Sequence, residues 1–217
     1  MMGAMRRPLP PVAAAALAVA TIASASAFAS AQSIIKNPGD HVNSVELEPH
    51  LILVPWNTPG NDIGLGLGFR ATVPIVNNGF ISTINNSVGI GFGLDWMHYG
   101  CGNRNYNGGQ YDCGSFNHWM IPVVMQWNFF LTKSWSVFGE PGLAFHYLSW
   151  GGCPDYVDNR GNHYNSCNYD HTHLDGVLFA GARWHFGQYT ALTMRIGLGG
   201  LSSGWDNGYF SIGISFL

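Results

Sequence analysis

The sequence predicts an all-β fold, an eight-stranded antiparallel up-and-down transmembrane β-barrel, and three observations carry that expectation. Hydrophobic residues alternate with period two through eight segments, and in each the charged residues share a face with the small ones. Only 10% of the 217 residues are charged, against roughly 25% in ordinary soluble domains, while glycine numbers 29 and aromatics make up 14%. After the N-terminal leader no apolar run reaches the ~18 residues of a membrane-spanning helix. Entry into a bilayer therefore demands a closed barrel, because lipid satisfies no open strand edge.

Residues 1–31 read as a signal peptide. Arg6 and Arg7 form its basic region, Val12 to Ala23 its apolar stretch, and Ala29-Ser30-Ala31 a small-x-small cleavage site, with Ala25-Ser26-Ala27 as a second. The arginine pair reads as an ordinary basic region rather than a twin-arginine signal. From Gln32 onward the chain carries seven Lys+Arg against twelve Asp+Glu, a net of −5, which argues against nucleic acid as a partner. Residues 32–43, polar and containing Pro38-Gly39-Asp40, read as a periplasmic N-terminal tether, and 44–217 as the barrel.

The first strand, Ser44 to Val54, sets Val45, Leu47, Leu51 and Leu53 opposite Glu46, Glu48 and His50. The second, Ile63 to Val76, sets Leu65, Leu67, Phe69, Ala71 and Val73 outward against Gly64, Gly66, Gly68, Arg70 and Thr72. In the third, Ser87 to His98, Val88 to Trp96 face out at every second position, opposite Gly89, Gly91, Gly93 and Asp95. The fourth, His118 to Phe130, has Trp119, Ile121, Val123, Met125, Trp127 and Phe129 in one row and Pro122, Gln126 and Asn128 in the other. In the fifth, Trp135 to Leu148, Phe138, Glu140, Ala144 and His146 face in; Pro141 removes a ladder donor, so a bulge or break is expected there. The sixth, Leu174 to Phe186, turns Arg183 and His185 inward. The seventh, Thr190 to Leu198, does so with Thr193 and Arg195, and the eighth, Gly208 to Leu217, with Ser211, Gly213 and Ser215.

Such rows are inside out relative to a soluble lipocalin-like barrel, and they predict an apolar exterior around a polar interior. Segments 131–134 and 187–189 are tight and 99–117 and 149–173 long, the alternation expected of a periplasmic and an extracellular end; Asn77 to Asn86 is a longer turn on the periplasmic side. Outward aromatics gather at the strand ends, Trp96, Trp119 and Tyr147 at one and Trp127, Phe129, Trp135, Trp184 and Phe186 at the other, as membrane interfaces favour.

From about Ser44 to its end the chain resembles the small outer-membrane barrels of the OmpA/OmpX type. Its terminal strand, Phe210-Ser211-Ile212-Gly213-Ile214-Ser215-Phe216-Leu217, resembles the signal read by the barrel-assembly machinery, with the aromatic penultimate rather than last. The resemblance implies a location in the outer membrane and contact with its lipid. Members of that group serve as anchors, adhesins, small pores and lipid-modifying enzymes, so it does not choose a function.

Export places the four cysteines in an oxidising compartment. Cys101 and Cys113 share one long loop and Cys153 and Cys167 another, which favours within-loop disulfides over zinc; closing loops of this size stabilises by about 3 kcal/mol in the chain-entropy model. Inside the barrel, Glu46, Glu48, Asp95 and Glu140 are expected to pair with Arg70, Arg183 and Arg195, because an unpaired buried charge is costly. That set reads as a structural plug, with a gated ion path as the sharper alternative.

No cofactor or metal site is assigned. The metal candidates are His118, His146, His171 and His173, on inward rows near the outer mouth and close in height to Asp95 and Asp175; the plainer reading is polar mouth residues that never meet. No serine is placed as a nucleophile beside them, and the outward rows hold no Ser/His/acid set apart from a lone His98, so an enzyme is not expected. Tyr106, Tyr111, Trp150, Tyr156, Tyr164 and Tyr169 among Asn and Gly give the loops the composition of a recognition surface for an unidentified extracellular ligand, or of loops that are simply solvated. The expected function is a structural or surface-interaction role, with a narrow pore, a rim metal binder or a lipid-modifying enzyme as alternatives.

Overall fold

The computed structural model describes residues 32–55, 63–100, 104–106, 109–111, 115–151, 156–157, 163–164, 170–198 and 208–217. Eight strands close into one antiparallel barrel: β1 (Glu46–Val54), β2 (Gly64–Val76), β3 (Asn86–Gly100), β4 (Ser115–Phe130), β5 (Trp135–Gly151), β6 (His171–His185), β7 (Thr190–Leu198) and β8 (Gly208–Phe216). Each pairs with its neighbours in sequence, and β1 closes on β8. Two short ribbons, 104–106 with 109–111 and 156–157 with 163–164, stand in the long connections. The leader 1–31 and all four cysteines lie outside the described residues.

The period-two rows sort as expected over most of their length, but Val88 and Trp135, expected on the outer wall, are buried at the turn end. Leu51, Leu65, Val123, Leu143 and Ile196 are more than half exposed on the outer wall, while Glu48, Arg70, Asp95, Glu140 and Arg195 are buried inside. A soluble monomer rarely exposes a contiguous apolar patch beyond a few hundred Å². A wall that is apolar all round is matched to lipid, and the barrel is a transmembrane one.

Four strands run two or three residues further toward the loop end than their hydrophobic rows. There Tyr99 pairs with Phe116, and His171 with Leu148, so the ladder continues after the apolar outer row has ended.

Prolines mark where ladders break. The β4–β5 register stops at Val124↔Gly142 and resumes at Trp127↔Gly139, so the break falls at Pro141, while Pro141 keeps its place opposite Leu178 of β6. The closing β1–β8 ladder likewise skips from Leu47↔Phe216 to His50↔Gly213 across Pro49. In both places the residue lacks the N–H that one neighbour would use.

Residues 32–43 dock against the turn end of the barrel. Ile34 is 5% exposed, its amide donates to the Leu131 carbonyl at 3.0 Å, and the Asn85 amide donates to the Ile35 carbonyl at 2.6 Å. The Asn85 side chain donates to the Asp40 carbonyl at 3.0 Å and meets His41 Nδ1 at 2.6 Å, and the His41 ring stacks flat on Phe130.

Candidate functional site

Above a cavity at its turn end, the lumen is filled in layers. At the turn end Arg183 donates from Nε to Glu46 Oε1 at 2.9 Å and from Nη1 to Asn128 Oδ1 at 2.7 Å, with its guanidinium 4.2 Å above the Phe138 ring. Arg183, Glu46 and Asn128 border a cavity of about 500 Å³ that Asp40, His41 and Asn43 of the docked segment also line.

Above it, Arg195 grips Glu48 in bidentate fashion, Nη1 to Oε1 at 2.6 Å and Nη2 to Oε2 at 2.9 Å, and donates from Nε to Glu140 Oε2 at 3.0 Å. Gln126 donates to Glu140 at 2.7 Å. Arg70 reaches Glu140 at 3.4 Å and Asp95 at 3.1 Å. Such charge-assisted, forked bonds are what a guanidinium must make to leave water. Of the seven charged residues chosen from the sequence, Glu48, Arg195, Glu140, Arg70 and Asp95 stand in one chain of contacts, and the Arg183–Glu46 pair joins it through Asn128, which donates to Gln126 Oε1 at 3.3 Å.

His50 completes that chain and was not among the charges chosen. Its Nε2 donates to Asp95 Oδ1 at 3.0 Å, and its Nδ1 lies 3.3 Å from the Glu48 carbonyl. Its inward position was legible, but the link to Asp95 depends on two strands meeting in one register. Asp95 is correspondingly committed to His50 and Arg70 and does not join the histidines at the mouth.

The next layer corrects the expectation of a polar interior throughout. Ile52, Val54, Met97, Tyr99, Phe116, Met120, Val124, Val177, Phe179 and Tyr209 form one buried apolar cluster on the loop side of the charges. The glycines opposite them make the room: a Cβ at Gly64 would overlap the Tyr99 ring, and one at Gly197 the Phe179 ring. Glycine rows facing an inward aromatic row leave space that the rings occupy.

Histidines cap this cluster. His118 Nε2 and His146 Nδ1 are 2.8 Å apart, the His146 and His173 rings stack 4.8 Å apart, and His171 lies 5.3 Å from His173. His173 Nε2 is 3.3 Å from Asp175 Oδ2. The four candidate residues therefore do meet. Among the described residues no three His, Cys, Asp or Glu side chains already converge as a metal cage. His98 faces outward and bonds Asn117 Oδ1 at 3.1 Å, beside the Trp96–Trp119 pair. The loop tyrosines and Trp150 lie outside the described side chains.

No protein-family model matches the chain, and no curated protein sequence matches it either. Solved structures of similar architecture do. Ail, the attachment invasion locus protein of Yersinia pestis, in a phospholipid bilayer nanodisc, is 12% identical over 81% of this chain and 99% of its own, with TM-score 0.47. Neisserial surface protein A is 16% identical over 79% and 94%, with TM-score 0.44. The N-terminal β-barrel domain of OprF from Pseudomonas aeruginosa is 13% identical over 80% and 96%, with TM-score 0.42.

Proposed function

We propose that this chain is an outer-membrane barrel that holds a rigid wall in the bilayer and presents its long loops outside, in a structural or surface-interaction role rather than a transport or catalytic one. The carrying observation is the filled lumen. Among the described residues, paired charges from Glu46 to Asp95, then the apolar cluster, then the histidines occupy the lumen above the turn-end cavity, which supports a wall rather than a solute channel. The leader and the closing strand, with its Phe216 penultimate, support export and delivery by the assembly machinery. Disulfides Cys101–Cys113 and Cys153–Cys167 brace the loops in this reading.

Single-channel recording in planar bilayers tests it. The expected record is a flat baseline. Ohmic steps whose size changes in Glu140→Gln or Arg183→Gln would give the lumen to a narrow pore instead. Non-reducing peptide mapping checks the loops, where a cross-loop pairing such as Cys101–Cys153 would contradict the braces.

A further inference from the structure

We infer that the loop-end mouth binds one divalent transition-metal ion of the zinc or copper class through His146 Nε2 and His173 Nδ1, with His171 as third donor. The partnering of the ring nitrogens carries the argument. Tyr99 Oη lies 3.3 Å from Met97 Sδ and 3.4 Å from His118 Nδ1, and His118 Nε2 lies 2.8 Å from His146 Nδ1, so His146 Nδ1 is engaged. In the tautomer that ligates a metal, His146 Nδ1 donates across that contact and Nε2 is the bare lone pair.

The same logic holds one strand over. His173 Nε2 lies 3.3 Å from Asp175 Oδ2, an ion-pair contact that favours the ring hydrogen on Nε2 and leaves Nδ1 bare. Both bare nitrogens, His146 Nε2 and His173 Nδ1, are buried and have no hydrogen-bond partner among the described residues, and His146 is only 3% exposed. Leaving such groups unpartnered is costly.

An imidazole whose second nitrogen is pinned to an acceptor is the form in which histidine ligates metal, and a carboxylate behind it raises its basicity. The two residues face each other directly in the β5–β6 register, and His171 follows His173 on the same face, two residues nearer the loops. Nitrogen donors in this number suit zinc, copper or nickel rather than calcium or magnesium. The rings now stack in parallel planes at 3°, so an ion bridging them requires one to swing about its Cβ–Cγ bond. His171, exposed at the mouth, gives the ion its way in.

The test uses the full chain without a histidine tag, folded into vesicles with its thiols blocked, and titrates zinc and copper separately. One ion per chain is expected, with a copper spin-resonance spectrum showing imidazole nitrogens. His146→Ala or His173→Ala should weaken binding at least tenfold. Asp175→Ala, which releases the His173 ring, should weaken it by about 10–100-fold. Each variant is first checked for heat-dependent gel mobility, and His146→Gln and His173→Gln replace any alanine variant that does not fold. Absence of saturable binding, or unchanged affinity in the His146/His173 double variant, overturns the site. The second outcome would move the ion to the loops.

Discussion

His50 on β1 reaches past β2 to Asp95 on β3, Nε2 to Oδ1 at 3.0 Å, and Gly68 stands directly between them in the sheet, paired with both. A Cβ at Gly68 would overlap His50 Nε2 and Asp95 Oδ1 alike. Gly68→Ala is therefore expected to destabilise the barrel by about 1–3 kcal/mol in urea titrations in vesicles, as overpacking does. Gly139→Ala is the control. Nothing lies within 4 Å of its added methyl, and the midpoint should not move.

Arg195 holds both Glu48 and Glu140. Arg195→Met leaves Glu48 without its guanidinium, and removing one partner of a buried ion pair costs about 3–5 kcal/mol. Adding Glu48→Gln should recover part of that loss, since Glu140 keeps Arg70 and Gln126. A double variant no more stable than Arg195→Met would show that the two residues act separately.

Adjacent positions on β8 distinguish the two faces of the wall. Ile212 faces lipid and Ser211 the lumen, where its hydroxyl is buried without a hydrogen-bond partner among the described residues. Ile212→Arg should cost about 2–4 kcal/mol, the range for a cation near the middle of the bilayer. Ser211→Ala should be neutral or slightly stabilising, because an unsatisfied hydroxyl is removed. Equal effects in vesicle unfolding would contradict the facing.

Asn85, fully buried, ties residues 32–43 to the turn end through Asp40 and His41. Asn85→Ala removes both side-chain bonds while keeping the backbone bridge to Ile35. Limited proteolysis should then cut between Ile35 and Asn43 at least several times faster, with the barrel itself intact. An unchanged rate would mean that Ile34 and the His41–Phe130 stack hold the segment alone.

The barrel was legible because alternation is local: Leu65 to Val73 and Phe210 to Phe216 each reveal two faces without reference to any other strand. The inward arginines and carboxylates were legible for the same reason, since cost alone demands that such charges pair. What alternation does not encode is height. Asp95 was grouped with the mouth histidines, yet the β2–β3 register sets it beside Gly68 and hands it to His50. The apolar half of the lumen escaped notice because Ile52, Met97 and Phe116 continue rows whose lower members are polar. The docking of residues 32–43 depends on Asn85, in a distant turn, which no local pattern links to them.

The central claim is a closed barrel with its apolar wall in lipid, and gel mobility of the vesicle-folded chain before and after boiling tests it most directly. The folded chain should stay with the membrane after alkaline washing and migrate as a compact band that shifts to the mobility of the unfolded chain on heating. A band released into the soluble fraction, with one mobility at both temperatures, would contradict the barrel in the membrane.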